Sequence, residues 1–178
     1  MHLLLVRHCS AAGQEPEMEL TEDGSRQAVE LAHFLAARAV GRIISSPFRR
    51  AIDSARPLAT LLDIPIEIDV RLQERRLGHV ADGDWMNALR RSFDQKEVAL
   101  PEGESSLIAQ ARGRAVVDEA LDSMSATTAL FSHGNLLSLI AHSFNLTVGF
   151  DYWASLSNPD VYELRRLGSS FQLNRVWR

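Results

Sequence analysis

The stretch Met1-His2-Leu3-Leu4-Leu5-Val6-Arg7-His8-Cys9-Ser10 carries the reading on which the fold turns. Residues 2–6 form an apolar run too short for a helix of ordinary length, and it stops abruptly at an arginine and a histidine. The same grammar returns twice. Arg42-Ile43-Ile44-Ser45 runs into Ser46-Pro47, and Ala129-Leu130-Phe131-Ser132 runs into His133-Gly134-Asn135. Each run reads as a buried strand followed by a polar end and then a helical pattern. Such alternation implies an α/β fold, a three-layer α/β/α sandwich around a mostly parallel sheet. In sheets of this kind, functional groups gather at the carboxyl ends of the strands.

The segments between these strands fill in the frame. Thr21 caps a helix whose apolar positions Ala28, Leu31, Ala32, Leu35 and Ala39 keep the 3.6-residue period, with Gly41 as its stop. Ser46-Pro47 reads as a cap followed by proline at the first helical position. The stripe behind it is Phe48, Ala51, Ile52, Ala55, Leu58, Ala59 and Leu62, with Pro57 expected to kink the helix. Ile64–Ile68 suggests a third strand, and Val161–Leu164 and Ser170–Leu173 suggest two closing strands. A long helix is expected from about Ser105 to Met124 with Leu107, Ile108, Ala111, Ala115 and Leu121 inward, and another with Leu136, Leu137, Ile140 and Ala141 inward. Residues 69–102 read poorly apart from a helix around Trp85–Gln95.

A chain of 178 residues with 46% hydrophobic content fits one domain with one sizeable core, here 1–178 with a short cap segment at about 76–102. The 19 basic and 23 acidic residues give a net charge of −4, which argues against nucleic acid or an anionic membrane as partner. No segment approaches the ~20 continuous apolar residues of a membrane span. A cytoplasmic protein is the expectation. The single cysteine, Cys9, excludes an internal disulfide and a multi-cysteine zinc motif. His2, His33, His79 and His142 lack paired ligand spacing, so no metal is expected.

Gathered at neighbouring strand ends, His8 and His133 would share a pocket with Arg7 and the pair Arg49-Arg50. Guanidinium forks match phosphate oxygens, and each charge-assisted bond contributes roughly 1.5–3 kcal/mol net. Helix starts at Pro47 or Gly134 would add backbone donors for an anion. An imidazole with one nitrogen held protonated can aim the other lone pair at phosphorus, and flanking arginines favour that neutral form. The pocket suits phosphoryl transfer.

These motifs resemble the histidine phosphatase superfamily, phosphoglycerate mutase-like, branch 1. Arg7-His8-Cys9 is similar to its Arg-His-Gly signature, and Leu20-Thr21-x-x-Gly24-x-x-Gln27-Ala28 to its next helix start. Ser46-Pro47-Phe48-Arg49-Arg50-Ala51-x-x-Ser54-Ala55 resembles the second arginine motif, and Leu72-x-Glu74-x-x-x-Gly78 the proton-donor segment. Gly103-Glu104-Ser105 and Ser132-His133-Gly134 complete the series, in order over roughly residues 3–145. The resemblance implies a nucleophile at His8, with Arg7, Arg50 and His133 holding phosphoryl oxygens. It makes Glu74 the proton donor and Gln14, Gly134 and Asn135 further substrate-binding positions. It implies a phosphatase without cofactor, acting on a small phosphorylated metabolite or a phosphoprotein and fastest at mildly acidic to neutral pH.

The chain departs from the pattern at five places, one of them the absence of the tryptophan-glycine signature after Gly78, with Trp85 arriving late. Cys9 replaces glycine, Ser10 stands where mutases have glutamate, and Gln14 where they have asparagine. The stretch from Gly78 to Gly103 is about 24 residues, shorter than the mutase insertion, which favours hydrolysis by admitting water. Phosphoglycerate mutase-type transfer is the alternative, and a non-catalytic phospho-ligand binding module is the reading from another class. A serine hydrolase is excluded because no G-x-S-x-G elbow exists. Cys9 reads either as a thiolate-prone redox group or, more simply, as a small residue lining the phosphate pocket. His79 is a candidate substrate contact, whereas Trp85 and Phe93 read as core cover within the segment expected to set selectivity. Oligomeric state is not legible.

Overall fold

The computed structural model describes residues 2–80, 83–123, 126–145 and 147–177. In chain order the elements are β1 (His2–Arg7), α1 (Glu22–Ala36), β2 (Val40–Ser45), α2 (Arg49–Leu62), β3 (Ile66–Ile68) and a 3-10 turn (Val70–Leu72). They continue with α3 (Trp85–Asp94), α4 (Ser106–Asp122), β4 (Thr127–Ser132), α5 (Gly134–Phe144), α6 (Phe150–Ser155), β5 (Asp160–Leu167) and β6 (Ser170–Arg175). One sheet runs β3-β2-β4-β1-β5-β6. Its β2–β3, β2–β4 and β1–β4 pairs are parallel, and β5 and β6 close it in antiparallel fashion.

Side chains alternate across a strand, so β1 feeds both layers. Leu4 and Val6 face α1 and α2 with Leu31, Leu35, Ala55 and Leu58, while Leu3 and Leu5 face α4 and α5 with Val116, Val117, Leu136 and Ile140. Each such fully buried leucine contributes roughly 1.5–3 kcal/mol. Helices thus cover both faces, as the alternation of strands and helices predicts. Among the described residues no helix is long and apolar enough to cross a membrane.

Local signals set several boundaries. Thr21 Oγ1 accepts from Gly24 N at 2.9 Å, the cap that the sequence predicts, and Ser105 Oγ accepts from Ile108 N at 3.2 Å, capping α4 at the expected helix start. Other boundaries move. Ser46 does bond a backbone amide, Phe48 N at 3.2 Å, but α2 begins at Arg49, two residues beyond the proline. The helix then runs on through Pro57. Gly41 lies within β2 rather than ending α1; the turn is made at Ala39, exposed and with φ of 52°. Strand β3 is shorter than expected, and α6 has no counterpart in the sequence reading.

Helix α4 turns a different face inward from the one its leucine and isoleucine suggest, and Met124 lies outside the described residues. Leu107 and Ile108 are 40% and 60% exposed, and Ala111 is exposed as well. The buried stripe is Ala109, Gly113, Val116, Val117, Ala120 and Leu121. Close approach to α5 explains the choice, because a Cβ at Gly113 would lie 2.7 Å from Ile140 Cδ1. Small residues let the two helix backbones near each other.

Candidate active site

The carboxyl ends of β1, β2 and β4 lie side by side. His8 N donates to Ser132 O at 3.0 Å and Ser46 N to Phe131 O at 2.9 Å, so parallel pairing carries on into the loops. His8 and His133 thereby come together with ring centroids 5.1 Å apart. Both are buried.

Hydrogen bonds fix the form of His8. Its Nδ1 lies 2.7 Å from the Cys9 carbonyl, which only accepts, so Nδ1 carries the proton. Its Nε2 faces Arg50 Nε at 3.2 Å, a donor, so Nε2 presents its lone pair. Burial, with Arg50 and Arg7 adding to it, pulls the imidazole down from 6.5 to about 3. The arginines act as the sequence suggests, but desolvation is the larger cause. His133 is likewise held well below its ordinary value by burial first and then by His8, Arg50 and Arg7. Its Nε2 lies 2.7 Å from Ser46 Oγ, and its Nδ1 is buried with no partner among the described residues.

The arginines are held through carbonyls. Arg7 Nη1 donates to Leu156 O at 2.9 Å, and Arg50 Nη1 donates to Gln14 O at 2.8 Å and Glu15 O at 3.0 Å. Among the described residues neither forms an ion pair with a carboxylate, and burial opposes the charge on both. Gly134 lets Arg7 lie against the start of α5, since a Cβ there would come within 3.1 Å of Arg7 Cζ. Arg49 stays at the surface in an ion pair with Glu19 at 2.8 Å.

Glu74 docks on the first turn of α5. Its Oε1 accepts from Leu136 N at 2.9 Å and Arg75 N at 2.8 Å, and its Oε2 from Asn135 N at 3.1 Å. A helix N-terminus is a natural seat for a carboxylate. A cavity of about 560 Å³ joins Glu74 to Arg7, His8, Gln14, Gly134 and Asn135. A second, of about 510 Å³, lies beyond Glu74 and is lined by Arg50, Gln73, Arg76 and Glu104. All of Arg7, His8, Gln14, Arg50, Glu74, His133, Gly134 and Asn135 therefore converge on one place.

Three expectations change. Cys9 is fully buried in the core beside Ala28, Leu58 and Phe131, neither lining the cavity nor ionised, and burial pushes its thiol up to about 12. His79 is exposed and off the cavity wall. Trp85 is 51% exposed and lines the cavity, whereas Phe93 is core as expected.

Sequence reasoning also missed several residues. Asn158 Nδ2 donates to His8 O at 2.7 Å. Ser54 Oγ accepts from Cys9 N at 2.9 Å and donates to Arg50 O at 2.6 Å, tying the two motifs together. Trp153 joins the cavity wall from α6. Ser54 stood inside a recognisable motif; Asn158 and Trp153 carried no local signal beyond an Asn-Pro step.

Fold and pocket together define a class: the chain belongs to the histidine phosphatase superfamily (branch 1), whose family model matches residues 3–177. It is 35% identical over 99 residues to the glucosyl-3-phosphoglycerate phosphatase of Mycolicibacterium vanbaalenii, covering 52% of this chain and 42% of that protein. With the Mycobacterium tuberculosis protein of the same name it is 30% identical over 146 residues, 70% of this chain and 63% of that protein. The chain thus spans less than two thirds of the curated relatives it matches. Among solved structures, a mycobacterial glucosyl-3-phosphoglycerate phosphatase in complex with VO3 superposes with a TM-score of 0.81 at 26% identity, over 98% of this chain and 97% of that one. Phosphoserine phosphatase from Entamoeba histolytica shares the fold, with a TM-score of 0.78 at 20% identity over 99% and 97% of the two chains.

Proposed function

We propose that this protein hydrolyses phosphate monoesters of small metabolites through a phosphohistidine on His8. One observation carries the reading. Among the described residues the buried side-chain polar atoms without a partner are Arg7 Nε, His133 Nδ1 and Asn135 Nδ2, and all three belong to the His8 pocket. Unpaired buried polar groups are costly and uncommon, so their convergence marks a place for an anion that bonds them.

In the first step His8 Nε2 attacks phosphorus as the ester P–O bond breaks. Arg50, whose Nε rests on that lone pair, turns its donor to a phosphoryl oxygen, and Arg7 and His133 supply others. Glu74 gives its proton to the departing alkoxide. The Nδ1 proton stays on the ring, and the Cys9 carbonyl stabilises the charge the imidazole gains. In the second step a water attacks phosphorus and returns a proton to Glu74, the P–N bond breaks, and phosphate leaves. Positive charge comes from guanidinium groups, so no step calls on a metal. The cavity is of small-ligand size. We read residues 76–102, which carry α3, as a short cap over the site.

The test is turnover of an aryl phosphate with EDTA present, for wild type and His8→Ala, with acid-quench trapping of the phosphoenzyme. The expected result is EDTA-resistant hydrolysis and an acid-labile phosphoprotein, with turnover lost by on the order of 10⁴-fold or more in His8→Ala. Hydrolysis that survives the substitution, or that EDTA abolishes, overturns the reading.

A further inference from the structure

The imidazole of His8 opens into a cavity whose outer wall is made of indoles. Trp85, from the first turn of α3, and Trp153, from α6, both line it, together with Leu77 and Leu89. The two indoles meet edge to face, 6.4 Å apart at 85°. A perpendicular pair does not use up its ring faces in mutual stacking, so a third ring can lie against one of them.

This wall is built and held. Trp153 packs on Phe150 at 5.3 Å, Phe150 on the buried Phe93 at 6.2 Å, and Arg90 covers Phe150 at 3.9 Å. Behind Trp85, Leu89 is 5% exposed and belongs to the core. A tryptophan left half exposed on so well anchored a helix, lining the cavity that His8 also lines, has the placement of a ligand contact rather than of core cover.

The polar alternative lies on the other side of Glu74. The cavity there, with Gln73, Arg76 and Glu104, would suit a charged leaving group, but His8 does not line it. Glu74 borders both cavities, but only the one that His8 also lines is open to a substrate whose phosphorus sits at Nε2, and that cavity holds both indoles.

We infer that the preferred substrates are alkyl phosphates whose alcohol carries a ring with an apolar face close to the phosphorylated carbon, held against Trp85 and Trp153. The shared chemistry is the apolar ring face, which an aromatic ring and a pyranose both present. This inference rests on the phosphatase reading above and narrows its substrate class.

Four esters of primary alcohols test it without the bias of an activated leaving group: 2-phenylethyl phosphate, glucose 6-phosphate, glycerol 1-phosphate and 3-phosphoglycerate. The expected result is a kcat/KM at least about tenfold higher for one or both ring-bearing esters than for the open-chain pair. Which ring leads identifies the source. In Trp85→Ala and Trp153→Ala that ratio should fall to within about threefold of unity, and Trp85→Phe should keep most of it. Equal or better turnover of 3-phosphoglycerate, or a ring preference that survives both alanine substitutions, overturns the inference while leaving the phosphatase reading in place. Failure on all four while an aryl phosphate is still turned over sinks the inference alone; failure on the aryl phosphate as well sinks both.

Discussion

The floor of the site and its indole wall differ in how much of the chain is needed to build them. The floor comes from three parallel strand ends, and each contributes its functional group within one or two residues of the strand: Arg7 and His8, Ser46, His133. Its geometry follows from sheet register, since Arg7 pairs with Ser132 and Ser45 with Phe131. The wall comes from two short helices far apart in sequence, α3 and α6, joined by ring packing and an exposed Arg90–Asp151 ion pair. On the proposed reading, the nucleophile is placed by the sheet, and selectivity lies in parts that can change without disturbing it.

Glu74 belongs to both regions, and removing its carboxyl gives the largest effect outside His8 itself. It follows the 3-10 turn that leads toward α3, yet it is seated by amides of α5. For Glu74→Gln we expect kcat on alkyl phosphates to fall by roughly 10²–10⁴-fold, with a much smaller loss on nitrophenyl phosphate, whose leaving group needs no proton. Equal losses on both substrates would assign Glu74 to the structure of the floor rather than to proton transfer.

The same division explains what could be read from the sequence. Strand ends, the Thr21 cap and the helix start at Ser105 are local signals that the structure bears out, and the residues expected at the site lie close together around His8. Cys9 misled because its neighbours in sequence are Arg7 and His8, while its side chain turns away from them into the core. Helix α4 misled at its start, where Leu107 and Ile108 face outward and the small residues Ala109 and Gly113 face inward. Asn158 and Trp153 reach the site only through the tertiary path of α6 and β5, and Trp85 declares itself only once Trp153 stands beside it. Contacts between distant segments leave no periodicity to find.

Acid sharpens the comparison, because the floor holds two buried neutral imidazoles and the wall holds none. The unfolded chain takes up protons near pH 6.5, whereas folded His8 resists until about 3 and His133 is shifted the same way. Between those values the unfolded state binds more protons, so folding stability falls as pH falls, by up to about 1.4 kcal/mol per pH unit for each histidine. Urea unfolding between pH 6.5 and 5, above the range in which most carboxylates titrate, should show this slope. His8→Asn and His133→Asn should each flatten it. A slope unchanged in both variants would mean that the imidazoles are not held neutral by the fold.

The smallest expected effect concerns how His133 is aimed. Ser46 Oγ accepts from Phe48 N at 3.2 Å, which leaves its proton free for His133 Nε2 at 2.7 Å. In that arrangement His133 carries its hydrogen on Nδ1, the atom without a partner, and Nδ1 becomes a donor for a phosphoryl oxygen. Ser46→Ala removes the hydroxyl that selects this tautomer, and kcat/KM should fall by roughly two- to tenfold, the scale of one hydrogen bond. Ser46→Thr should restore most of the loss. Nitrogen chemical shifts of His133 provide the readout that a packing defect would not move: the Nδ1–H form in wild type and Ser46→Thr, and a mixture of tautomers in Ser46→Ala. If wild type already shows the proton on Nε2, Ser46 is the acceptor of that bond, and the floor must draw its third donor from Asn135 instead.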